Sequence, residues 1–171
     1  MIEHDETPEA LYQAVGQLVL MASALDHQLS RICIAVFGLV ETPFLEPVVG
    51  SLDSSRKVDM LKAYAQKLKP SDWKGAIRKH AEAVERLNQQ RNRAAHSSMI
   101  IEHGRASLTS SAASKLLRSL DLERGTASRL RIADLFAAIA SGEKDLGSGE
   151  TLIENLQRLA DTKKSVRSGE L

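Results

Sequence analysis

Residues 91–96 read Arg91-Asn92-Arg93-Ala94-Ala95-His96, and their side chains suit chemistry on a phosphate ester. A guanidinium is a permanently charged planar fork that binds two oxygens of one phosphate. An imidazole, with an ordinary pKa of about 6.5, can give or take a proton at neutral pH. Asn92 can orient either group by hydrogen bonding. Other chemistry-bearing residues carry less. His4, His27 and His103 show no metal-ligand spacing. His80 reads as a core or interface histidine with a satisfied nitrogen, Cys33 as a small buried hydrophobe and Trp73 as a core anchor. Gly147-Ser148-Gly149 is too short for a phosphate loop, and no Ser/His/Asp triad signature is present. The sequence calls for no metal and no cofactor.

The element that presents this hexapeptide is an amphipathic helix from about Asp72 to His96, with Trp73, Ile77, His80, Val84 and Leu87 along its apolar stripe. At about 100° per residue, Arg91 falls within about 40° of that stripe. An unpaired buried charge costs several kcal/mol. Arg91 therefore meets an internal carboxylate, or the stripe opens there into a cleft or subunit interface. Asp26, about 60° off the first helix's stripe, is the candidate carboxylate. His96 lies about 140° from Arg91 on an ideal helix, so the two do not share a face. As the last residue of the helix, His96 also has a structural reading, in which its cationic form favours the helix dipole.

Other helices must support this one. Thr7-Pro8-Glu9 reads as an N-cap, a first-turn proline and a first-turn acid. Leu11, Val15, Leu18, Ala22, Leu25, Leu29, Ile32 and Val36 then form one stripe of a long helix ending near Gly38. Thr42-Pro43 and Glu46-Pro47 read as a non-helical connector. A second helix runs from Asp53-Ser54 to Leu68, with Val58, Leu61, Ala65 and Leu68 inward and Lys57, Lys62, Lys67 and Lys69 solvated. Pro70-Ser71 separates it from the motif helix. The β-branched run before Gly104 reads as a short extended excursion or hairpin over 98–109. Leu116, Leu117 and Leu120 suggest a helical piece, and Gly125-Thr126 a turn. A further helix starts near Ala133; Gly142, Gly147 and Gly149 interrupt or weaken it before it restarts at Leu152. The expected fold is all-α: an up-down bundle of four to five helices with a short hairpin insertion, forming one domain over 1–161 with a polar, frayed tail over 162–171.

Composition agrees with that class. The chain has 171 residues, 43% hydrophobic but only 4% aromatic, so Ala and Leu supply the core. One cysteine excludes an intrachain disulfide and fits a reducing compartment. The acidic N-terminus does not resemble a secretory signal, and the apolar run at 18–25 is shorter than a membrane span, so a cytoplasmic location without membrane contact is expected. Net charge is +1, distributed as −6 over residues 1–50, +6 over 51–97 and +1 over 98–171. A basic middle suits a polyanion partner, or pairing within the molecule or between subunits.

Arg-Asn-x-x-x-His ending a core-facing helix resembles the motif of the HEPN superfamily, the higher eukaryotes and prokaryotes nucleotide-binding domains. The resemblance spans the order of elements from about Gly16 to His96. It implies a metal-independent endoribonuclease with a composite site at a homodimer interface, acting on RNA in a toxin or defence role that admits an antitoxin partner. Arg91 and His96 would be catalytic. Asn92, Arg93 and Asp26 would bind phosphate or RNA, or orient the groups that do. Ser98 stands where HEPN toxins paired with nucleotidyltransferase antitoxins carry a Tyr, which argues against that subgroup. The alternative is a non-catalytic helical interaction domain or small-nucleotide binder in which Arg91 forms a structural ion pair.

Overall fold

A computed structural model describes residues 6–37, 45–110 and 129–168. Five helices and one hairpin are seen among them: α1 (Pro8–Val36), α2 (Leu45–Ser51), α3 (Ser54–Lys67), α4 (Asp72–Ala95), β1 (Ser97–Glu102), β2 (Arg105–Ser110) and α5 (Ile132–Ser168). The all-α bundle with a hairpin insertion is the observed architecture.

Short polar residues start the helices. The Thr7 hydroxyl accepts from the Ala10 amide at 3.2 Å, the Asp53 carboxylate from Arg56 at 2.8 Å and the Ser71 hydroxyl from Lys74 at 3.3 Å. Each satisfies one of the free amides of a first turn, worth about 1 kcal/mol. The stripes then meet. Leu11, Leu18, Leu25, Leu29 and Ile32 of α1 are buried with Leu61 of α3, Ile77 and Val84 of α4, and Leu135 and Ile153 of α5. By length and composition α1 would pass for a membrane span, but its leucine stripe lies in this core.

The connector is shorter than its prolines suggest. Residues 45–51 are helical, because Pro47 is the third residue of α2, where no intrahelical N–H is required. Nor is α5 broken by its glycines. It runs unbroken to Ser168, past Thr162, and two glycines are contact points with α1 and α4. A Cβ on Gly142 would stand 2.7 Å from Met21 Cγ, and one on Gly149 only 2.0 Å from Gln28 Oε1 and 2.5 Å from His80 Cε1. The helical piece and turn expected within 111–128 lie outside the described residues.

The hairpin turns through His103 and Gly104, both at positive φ (51° and 77°), the signature of a tight type I′ turn. Its register pairs Glu102 with Arg105, Met99 with Leu108 and Ser97 with Ser110.

Candidate functional site

The motif helix delivers its side chains in three directions. Arg91, at the end of the buried stripe, is half-buried, and it lines a cleft of about 600 Å³ with Asn92, the first turn of α3, and two carboxylates that are already paired, Asp53 with Arg56 and Glu85 with Lys62. Among the described residues Arg91 forms no ion pair. The expected internal carboxylate is taken elsewhere: Asp26 accepts from the Ser54 hydroxyl on one oxygen and from Lys57 Nζ at 2.9 Å on the other. Asp26 thus sits beside the cleft as a structural anchor for the start of α3, and Arg91 is not its partner.

Lys57 overturns the expectation of a solvated charge. Its residue is 0% exposed, against 31% for the Asp26 side chain. Position 57 lies beside Val58 and Leu61 on the inner side of α3, and Asp26 comes from 31 residues upstream. The ammonium is therefore neutralised inside the bundle rather than presented to a partner.

Arg93 lines a different hollow, of about 500 Å³ between α4 and α5, shared with Arg86, Arg129, Asp134 and Asp145. His96 lines neither hollow. It is the exposed C-cap of α4 (φ −102°, ψ 15°), its amide donating to Asn92 O at 3.0 Å. The Ser97 hydroxyl donates to Arg93 O at 2.6 Å and satisfies another terminal carbonyl before β1 begins. One chain brings Arg91 and Asn92 together and leaves His96 outside that cleft, as the angular separation on the helix requires.

The cleft also contains residues that sequence reasoning passed over. Ser54, Ser55 and Arg56 were legible as a helix start after Asp53. That the start of α3 faces the end of α4 is a long-range contact with no local signal. The Asp53 carboxylate caps the start of α3, and Arg91, unpaired among the described residues, adds a full positive charge beside it. Polar side chains of both charges border this open space.

His80 is a core residue, but its nitrogens are not satisfied. Among the described residues neither Nδ1 nor Nε2 has a hydrogen-bond partner, and burial lowers its pKa to about 4 against a smaller opposing effect of Asp145. Cys33 is buried, as its helix position implies, and burial raises its thiol to about 11. Among the described residues no group of three His, Cys, Asp or Glu side chains converges as a metal site would require.

These features define a helical bundle with an open, charged cleft at the end of its motif helix. Compared with family models, curated proteins and solved structures, the chain matches none.

Proposed function

We propose that the chain is a HEPN-like, RNA-directed domain of the cytoplasm, a metal-independent endoribonuclease whose site is completed at the interface of a homodimer. The observation that carries this reading is Arg91: half-buried, without an ion-pair partner among the described residues, and directed into a cleft beside the N-terminus of α3. A guanidinium held this way has lost part of its hydration and has no carboxylate in return, so a phosphate is the ligand it suits. In the scheme, an RNA 2′-oxygen attacks the adjacent phosphorus as the bond to the 5′-oxygen breaks. The products are a 2′,3′-cyclic phosphate and a free 5′-hydroxyl. Arg91 and Asn92 hold the phosphate oxygens on which charge accumulates. His96 takes the 2′-proton or supplies one to the leaving oxygen. Arg93, in the neighbouring hollow, extends the contact along the strand. A toxin or defence role, with an antitoxin as second partner, is the setting in which such an activity fits.

The test is incubation of pure protein with a mixed RNA pool and with the same sequences bearing 2′-deoxy sugars. Cleavage of RNA alone, leaving cyclic phosphate ends, is the expected result. Cleavage of both substrates, or of neither, would remove the proposal.

A further inference from the structure

Among the described residues the hairpin has one protected edge and one open edge. Its two-residue turn makes Glu102 and Arg105 a hydrogen-bonded pair, and the phase then alternates along both strands. The N–H and C=O groups of Ala106 and Leu108 therefore point away from β1. Both residues are met there: Leu108 exchanges two bonds with Leu130, at 3.0 and 2.9 Å, and the Ala106 amide donates to Glu6 O at 2.6 Å. By the same phase, the backbone groups of Met99 and Ile101 point outward from β1. Among the described residues neither has a backbone partner on that side. Their side chains are also exposed, Met99 at 37% and Ile101 at 54%.

An edge of this kind pairs with another strand unless it is blunted by Lys, Pro or a bulge. β1, Ser97-Ser98-Met99-Ile100-Ile101-Glu102, has none of these devices. We propose that the open edge of β1 is an interface between two copies of this chain, in which β1 pairs antiparallel with β1 of the partner about a two-fold axis at Met99. An isologous contact requires the strand to complement itself. With Met99 opposite its own copy, Ser97 faces the partner subunit's Ile101, and the apolar side chains gather at the centre. No like charges oppose one another. Glu102, the strand's only charged residue, is neutralised by Arg129 of its own chain at 2.8 and 3.1 Å and arrives at the far end, toward the partner subunit's His96. The pairing extends the proposed function by naming the surface of its homodimer, and it rests on that reading only for the role of His96.

Oligomeric state and cross-linking test the pairing directly. Proline at position 99 removes only an outward N–H, so Met99→Pro leaves every β1–β2 bond in place. Two bonds between the paired β1 strands vanish per dimer, and the dimer should weaken by about a hundredfold. The expected result in light scattering is a dimeric wild type and a monomeric Met99→Pro variant with unchanged helical content. In addition, Met99→Cys should oxidise readily to a linked dimer, because a hydrogen-bonded antiparallel pair holds its Cα atoms about 5.5 Å apart, within disulfide range. Leu20→Cys, on the exposed face of α1, should not link. A monomeric wild type overturns the pairing, and so does a dimer that survives Met99→Pro or links through Leu20→Cys instead. A protein that dimerises through Met99 yet never cleaves RNA would refute the enzyme reading and leave the edge pairing in place.

Discussion

Lys57 and His80 are basic side chains in the core, and among the described residues only Lys57 has a partner. Lys57 donates to Asp26, whose other oxygen holds Ser54, so the pair ties α1 to the start of α3. Removing the carboxylate strands a buried ammonium, whereas removing the lysine leaves a carboxylate that water can still reach. Asp26→Ala should therefore cost about 3–5 kcal/mol in denaturant melts, and Lys57→Met distinctly less. Equal effects would show that the pair is not held as described. His80 acts through acid. Its pKa in the folded chain, about 4, lies below the ordinary 6.5, so the unfolded chain takes up the proton first. The stability it permits is complete above pH 6.5 and is lost as pH falls toward about 4. Stability should drop by about 2 kcal/mol between pH 7 and pH 5, and His80→Leu should remove most of that drop. Urea titrations of both proteins at the two pH values measure it. An equally steep acid loss in the variant would assign the effect to other groups.

At the scale of elements, the glycines of α5 divide by what they touch. Gly149 packs against Gln28 and His80 so closely that a methyl group would overlap both, whereas Gly147 has open space around it. Gly149→Ala should destabilise by about 1–3 kcal/mol through overpacking, and Gly147→Ala should stabilise by up to about 1 kcal/mol through helix propensity. Thermal melts of the two variants check the contrast; a stabilised Gly149→Ala would deny the close approach of α1 and α5. This contrast explains why α5 was hard to read. Three glycines within eight residues look like breakers locally, and only the neighbouring helix reveals that two are contact surfaces. The other long helices were legible because periodicity and caps agree within one segment: Thr7 with the α1 leucines, Asp53 with α3, Ser71 with α4. The hairpin followed from the β-branched run and Gly104. Pro47 misled in the opposite direction, since a proline in a first turn starts a helix rather than preventing one.

At the scale of the whole molecule, the apolar stripes of α1 and α4 meet inside the bundle of one chain. The surface proposed for a second copy is the edge of β1, unpaired among the described residues. The charge excess of residues 51–97 also shrinks on folding. Lys57 pairs with Asp26, Lys62 with Glu85 at 2.7 Å and Arg86 with Asp145 at 3.8 Å. RNA affinity should consequently fall with salt less steeply than the sequence charge implies, with a log–log slope of about −0.7 for each phosphate contacted. Arg91→Ala should flatten that slope by about one contact, as filter binding across a salt series would reveal. An unchanged slope would mean that Arg91 does not meet phosphate. The direction of Arg91 was legible, because its helical angle already put it in the stripe. Its lack of a carboxylate was not, because that depends on Lys57 having claimed Asp26 across 31 residues.

The central claim is that the C-terminal end of α4 cleaves RNA, and the single-turnover rate of His96→Ala relative to wild type tests it most directly. His96 is exposed at a helix end, where it contributes at most about 1 kcal/mol to stability, so the variant should fold and melt almost as the wild type does. Losing the acid–base group should nevertheless slow cleavage by about 10²–10⁴-fold. Arg91→Ala, measured alongside, should lose cleavage to a similar degree with little change in melting, because no described carboxylate depends on it. A wild type that cleaves while His96→Ala cleaves equally fast would contradict the account, as would a wild type with no activity on any RNA.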